Sequence, residues 1–166
     1  MGDANEAKIR ISVIHIALYE PEIPGNTGNI ARLAAASGST LHLIGRLGFS
    51  LQHPDARRAG MDYWQHVPLH RHINYADFEE AMAGQRLWLF STHATTDHWD
   101  VEFSDGDALV FGPESRGLPR ELVTAAGARA LRIPMWGDVR SLNIASAAAV
   151  ALYEALRQTK RDHGNS

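Results

Sequence analysis

Apolar residues recur along the chain in short runs of two kinds, extended stretches and stretches with helical spacing. Ser12–Tyr19 (SVIHIALY) alternates and predicts a strand. Asn26–Ser37 (NTGNIARLAAAS) places Ile30, Leu33 and Ala34 at helical spacing, and Gly38 stands where a helix stop belongs. Thr40–Ile44 (TLHLI) predicts the next strand, with Gly45 and Gly48 bracketing a loop. His53–Gly60 predicts a short helix, Tyr63–Pro68 a short strand, and Tyr75–Ala83 a helix ending at Gly84. Arg86–Ser91 (RLWLFS) and Ala108–Phe111 (ALVF) predict strands. The second shows no polar alternation, as expected of a strand covered on both faces. Pro119–Ala126 predicts a helix with proline in its first turn, Ala130–Ile133 a last short strand, and Ser141–Thr159 the longest helix. Strands separated by helices argue for an α/β sandwich with a mostly parallel sheet. In such sheets ligands bind at the carboxyl ends of the strands, so each strand-to-loop junction is a candidate site.

Composition narrows this picture. A chain of 166 residues suits one domain with a real core, read here as 11–160 between a polar arm at 1–10 and a tail at 161–166. No apolar run approaches the ~20 residues that span a bilayer. The amino terminus, MGDANEAK, is polar and acidic where a signal peptide needs a basic start and an apolar stretch. The absence of cysteine removes disulfides, thiolate metal sites and thiol nucleophiles together, and a cytoplasmic protein is expected. The formal net charge of -3 argues against a protein that coats duplex nucleic acid nonspecifically. Contact with nucleic acid would come from a local patch, which a homodimer would present twice.

Three junctions carry candidate chemistry. In Glu20–Arg32 (EPEIPGNTGNIAR) two prolines stiffen the loop, while Gly25 and Gly28 allow close approach of a partner. Asn26 or Thr27 can cap the following helix, whose free N–H groups form an anion site. Arg32 lies about a turn and a half further along. A capped helix with a solvated arginine explains the same residues. In Leu109–Pro119 (LVFGPESRGLP) Gly112 lets a ligand lie on bare backbone, and Glu114 can accept hydrogen bonds from an amine or hydroxyl. An ordinary β-to-α turn with a surface glutamate fits as well. Neither a G-x-G-x-x-G fingerprint nor a P-loop is present. In the segment from Ile133 to Tyr153, Ser141 fits an N-cap. Ala145, Ala147, Ala148, Ala149 and Ala151 leave the helix nearly bare, which suits packing on a loop or a second subunit, or simply strong helix formation. Together Leu109–Tyr153 reads as one composite site.

Other features carry less. His70 and His72 flank Arg71 with no carboxylate at metal spacing, so no metal site is read there. Arg57, Arg58, His66, His70 and Arg71 read as a solvated basic face. No Ser-His-Asp order or G-x-S-x-G elbow occurs. From the residues alone, a flavodoxin-like domain holding a phosphate ligand at Gly25–Asn29 stays open.

The segments PEIPGNTGNIAR, FGPESRGLP and IPMWGDVRSLNIASAAAVALYEA occur in the order of the three motifs of SPOUT-class RNA methyltransferases. Together with RRAGMDYW at Arg57–Trp64, they resemble in particular the TrmL-like tRNA (cytidine/uridine-34-2'-O)-methyltransferases, from about Val13 to Gln158. The resemblance implies a carboxyl-terminal trefoil knot, one of the rare exceptions to unknotted chains. It implies S-adenosyl-L-methionine held by Phe90, Ser91 and Thr92, by Gly112, Glu114 and Gly117, and by Ile133, Met135, Ser141 and Leu142. It assigns Asn26 and Arg32 to the RNA ribose and phosphate, and matches Glu114, Ser141 and Asn143 to the second- and third-motif residues. It implies a homodimer joined through the knot helices, with Tyr153 in the interface, Arg140 toward the dimer or RNA, and the bare face of Ser146–Ala155 against the partner. The implied reaction is 2'-O-methylation of the wobble ribose in a tRNA anticodon stem-loop, without metal; a relative acting on another tRNA or rRNA ribose, or a non-catalytic RNA binder, is the alternative. The chain departs from the pattern at Ala145 and Ser146, where Ser and Asn are expected, which puts in question the hydrogen bonds that open the knot helix.

Overall fold

The computed structural model describes residues 13–159. The arm at 1–10 and the tail at 161–166 lie outside the described residues. Seven strands form one sheet: β1 (His15–Tyr19), β2 (Thr40–Ile44), β3 (Leu69–His72), β4 (Leu87–Phe90), β5 (Thr96–Asp97), β6 (Ala108–Phe111) and β7 (Ala130–Arg132). Their order across the sheet is β3-β2-β1-β6-β4-β7-β5, and every pairing is parallel. Five helices connect them: α1 (Pro24–Ser37), α2 (Pro54–Gly60), α3 (Tyr75–Ala81), α4 (Arg120–Ala126) and α5 (Ile144–Thr159).

The period-2 alternation of strands divides the core in two. Ile14, Ile16, Leu18, Leu41, Leu43, Trp88, Phe90, Leu109 and Phe111 face one side and pack with Ile30 and Ala34 of α1 and with Ala148, Ala151, Leu152 and Ala155 of α5. Ala17, Ile44, Leu89, Ala108 and Val110 face the other side, toward Phe78 of α3 and Leu118 and Leu122 near α4. This is the three-layer sandwich expected from the sequence. It also explains why ALVF carries no polar alternation: all four residues are buried.

Several boundaries move, each for a local reason. The aromatic run expected as a strand at Tyr63–Pro68 is a 3₁₀ helix at Met61–His66, and the strand begins at Leu69. Trp64 Nε1 donates to the Ala56 carbonyl at 3.2 Å, which folds the run back on α2. The strand itself reads LHRH and lies at the sheet edge, so its residues lack an apolar period. The two-residue β5 is too short to show a period at all and pairs only with β7. Helix α1 starts at Pro24, two residues before the expected Asn26, because proline fits the first helical turn. It stops at Gly38, whose φ of 70° is left-handed backbone that glycine adopts freely. Helix α5 starts at Ile144, not Ser141.

Candidate functional site

Strands β1, β6, β4 and β7 are consecutive in the sheet, so the loops after their carboxyl ends gather along one edge. Those loops contain the three segments singled out in the sequence. Glu114 is the hub. Its carboxylate accepts hydrogen bonds from the backbone N–H of Glu22 at 2.8 Å and of Ile23 at 3.1 Å, and from Asn26 Nδ2 at 3.4 Å. Ile23 is the N-cap of α1 and has no side chain able to cap. The carboxylate that the amino end of a helix favours therefore comes from Glu114, after β6. This corrects the expectation that Asn26 or Thr27 caps α1; Thr27 is buried and its hydroxyl has no partner among the described residues.

Asn26 extends the network. Its Oδ1 accepts from Asn143 Nδ2 at 3.1 Å, and Asn143 Oδ1 accepts from the N–H groups of Ala145 at 2.9 Å and Ser146 at 3.3 Å. Asn143, not the expected Ser141, thus caps α5; Ser141 is exposed two residues upstream. The departure at Ala145 and Ser146 leaves this cap intact, because only their backbone N–H groups take part in it. One chain of hydrogen bonds, Glu114–Asn26–Asn143, ties the three segments together and terminates both helices.

Further ties escaped the sequence. Glu22 accepts from Ser115 N–H at 3.1 Å and from Ser115 Oγ at 2.7 Å, and these bonds hold its carboxyl below the usual carboxylate range. Glu20, at φ 45° in the left-handed region that side chains rarely occupy, pairs with Arg116. Two acids around a proline gave the only hint of either tie.

The residues matched to cofactor binding line the same edge. Phe90 is buried and its ring stacks on Phe111 with centroids 4.9 Å apart. Ser91 donates its N–H to the Leu131 carbonyl at 2.9 Å, and Thr92 is exposed beside it. Gly112 is hemmed in by its own loop: a Cβ there would lie 2.2 Å from the Leu118 nitrogen. Ile133 and Met135 are half-buried; Arg140, Ser141 and Leu142 are exposed. Gly112 thus offers its missing side chain to its own loop and not to a ligand. The half-buried Ile133 and Met135 and the exposed Leu142, beside the polar Thr92 and Ser141, suit a nucleoside joined to an amino acid, so the residues present fit S-adenosylmethionine.

Two predicted residues lie elsewhere. Arg32 is six residues beyond Asn26, about 9 Å along α1, and its guanidinium carbon sits 5.2 Å from the centroid of the Tyr63 ring. Tyr153 lies on the exposed side of α5 with Ser146 and Val150. The small residues Ala148, Ala151 and Ala155, expected to meet a partner, are fully buried against the chain's own core. Among the described residues no group of His, Cys, Asp and Glu could hold a metal ion, and no helix is long and apolar enough to cross a membrane.

Parallel sheet, capped helices and three tied loops define an α/β methyltransferase of knotted type, and the chain belongs to the SpoU rRNA Methylase family, which matches residues 13–153. It is 48% identical over 147 residues to the tRNA (cytidine(34)-2'-O)-methyltransferase of Escherichia coli (strain K12), covering 88% of this chain and 94% of that protein. The protein of the same name from Saccharophagus degradans is also 48% identical, covering 88% and 96%. A solved structure described as giving insight into the 2-OH methylation of C/U34 on tRNA superposes with a TM-score of 0.84 at 52% identity, covering 89% of this chain and 96% of that one. The SpoU methyltransferase AviRb from Streptomyces viridochromogenes, solved with AdoMet, superposes with a TM-score of 0.76 at 28% identity, covering 98% and 63%. These neighbours agree with the knotted α/β fold expected above.

Proposed function

We propose that the chain catalyses S-adenosylmethionine-dependent 2'-O-methylation of the ribose at position 34 of tRNA, acting on the anticodon stem-loop as a homodimer. The observation that carries this reading is the Glu114–Asn26–Asn143 chain, which fastens the loops after β1, β6 and β7 into one site. The names and near-complete coverage of the relatives support the substrate. The exposed Val150 and Tyr153 on α5 support the dimer.

Ile133, Met135 and Leu142, with the backbone after β4 and β6, would hold S-adenosylmethionine; when bound it would supply an electrophilic sulfonium methyl for the ribose 2'-oxygen, with the thioether as leaving group. The protein contributes alignment, which is worth up to about 7–11 kcal/mol when reacting groups are well placed. Glu114, Asn26 and Asn143 already spend their polar atoms on each other and on helix ends, so they hold the loops. Arg32 is exposed and free to address RNA. A guanidinium stays protonated, so Arg32 orients the 2'-hydroxyl and the neighbouring phosphate, and the proton leaves to phosphate or water.

The test uses S-adenosylmethionine with a labelled methyl and transcribed tRNA, followed by nuclease digestion and mass spectrometry. One 2'-O-methyl nucleoside at position 34 is expected. Methylation of a different ribose, or of a base, overturns the reading. In Arg32→Ala, turnover should fall by at least about a hundredfold while calorimetric cofactor binding persists; equal loss of both removes Arg32 from this role.

A further inference from the structure

Arg32 is carried on α1, yet what stands against its guanidinium comes from elsewhere in the sequence. The 3₁₀ helix that follows α2 delivers Tyr63, whose ring lies 5.2 Å from the guanidinium carbon. Tyr63 is 39% exposed; the 3₁₀ helix that carries it packs against α1 and α2, and Arg32 stands over its ring. A cation over an aromatic face is attracted by the ring's negative face, and a planar guanidinium stacks there while its edge N–H groups stay available. An exposed arginine otherwise samples many rotamers, and ordering it has an entropic cost.

We propose that Tyr63 is a positioning residue for Arg32, and that the arm formed by α2 and the 3₁₀ helix is the RNA-facing wall of the site. The inference rests on the methyltransferase reading above. Two further observations support it. The Trp64 Nε1 to Ala56 carbonyl bond ties the 3₁₀ helix to α2, and α2 packs against α1, so Tyr63 is held by a fixed element. Arg57 and Arg58 are exposed on the same arm. Residues 21–74 contain five arginines against three carboxylates, whereas the rest of the chain carries eleven lysines and arginines against sixteen carboxylates. The segment that carries Arg32 and the arm is therefore net positive through its scarcity of carboxylates, within a chain that is net acidic, and a phosphate backbone would be attracted to it.

The experiment measures methylation of an anticodon stem-loop by the wild type, Tyr63→Phe, Tyr63→Leu, Arg32→Lys, Arg32→Ala and the Arg32→Ala/Tyr63→Leu double variant. Tm and S-adenosylmethionine affinity are followed in parallel. Tyr63→Phe keeps the ring face and should stay within about twofold of wild type. Tyr63→Leu should lower kcat about fivefold, with Tm and cofactor affinity unchanged. Arg32→Lys, which loses the planar face while Tyr63 remains, should lose at least as much. The double variant should be no worse than Arg32→Ala alone, because the ring acts only through that arginine. An active wild type with an unaffected Tyr63→Leu overturns this inference alone, as do independent, additive losses in the double variant. A wild type that methylates no RNA overturns the functional reading and this inference together.

Discussion

The loop after β6 and the loop after β7 are both matched to the cofactor, and they are built on opposite plans. In Gly112–Pro119 almost every polar group is engaged. Glu114 caps α1, Ser115 binds Glu22, and Gly112 sits where no side chain fits. In Ile133–Asn143 only the last residue is tied into the network, while Trp136 is 84% and Val139 62% exposed. The first loop is finished by folding, its shape set by helix capping and backbone contact. The second displays apolar surface that neither the sheet nor the helices cover. A binding site with one fixed and one unfinished wall spends part of its ligand's binding energy on ordering the second wall. That difference can be broken or sharpened experimentally.

The largest effect belongs to the fixed wall. In Gly112→Ala the new methyl would lie 2.2 Å from the Leu118 nitrogen and 2.3 Å from the Gly117 carbonyl carbon, both backbone atoms that no rotamer change can move. The loop must open, pulling Glu114 away from the end of α1. We expect a loss of about 3 kcal/mol or more, read as a fall in Tm of roughly 10 °C, with cofactor affinity lost as well. A variant with unchanged Tm and affinity would show that the loop is not fixed in this way.

A smaller and separable effect comes from acid. On the α3 face of the sheet, His42 Nε2 lies 2.9 Å from His15 Nδ1, and His42 Nδ1 lies 2.9 Å from His72 Nε2, with Phe78 edge-on to the His42 ring. Burial beneath α3, followed by repulsion from His15, His72 and His70, pushes His42 down to about 3. Burial also lowers His15 and His72, opposed by Asp105 and Asp77. A folded-state value below the unfolded 6.5 means the unfolded chain binds more protons. This stability is therefore complete above about pH 6.5 and is lost as pH falls toward 3, with a slope from His42 of at most about 1.4 kcal/mol per pH unit. Urea unfolding between pH 7.5 and 4 should show that slope, and His42→Gln should flatten it. Because the histidines underlie the sheet, both loops should fail with it: tryptophan emission and far-UV dichroism should give one acid transition. An earlier transition in emission would place the β7 loop outside the cooperative unit and sharpen the contrast.

The sequence made these features legible to different degrees, for physical reasons. Thr40–Ile44 was readable to the residue because all five of its positions are buried between two layers. The edge strand Leu69–His72 was not, because an edge needs no apolar period, and the neighbouring aromatic run owes its apolarity to packing on α2. Asn26, Glu114 and Asn143 each stood out as polar residues at a junction, but only the fold shows that they bond to one another across 88 and 117 residues of sequence. Capping from a distant strand leaves no local signature, so the caps were assigned to Asn26 or Thr27 and to Ser141 instead. The alanines of α5 were ambiguous between a partner and the chain's own sheet, since a small side chain suits any close approach. Tyr63 stood out only as part of the RRAGMDYW run, because nothing in the sequence shows that its ring meets Arg32 from another element.

The smallest effect on stability, and the sharpest test of the unfinished wall, is Trp136→Ala. Trp136 touches the body of the protein through Trp99, ring centroids 6.1 Å apart and planes inclined by 29°. An offset pair at an exposed position is worth no more than about 0.5–1 kcal/mol, so Tm should fall by at most a few degrees. If the loop after β7 is ordered by the ligand, its cost of ordering rises when this anchor is removed. Cofactor affinity should then weaken about three- to fivefold while Tm without ligand hardly moves. Hydrogen exchange separates the two walls directly: adding S-adenosylmethionine should slow exchange in 133–143 far more than in 112–118, where protection already exists. Equal protection of both segments by the ligand would erase the distinction, because it would mean that the β6 loop also waits for the cofactor despite its capping bonds.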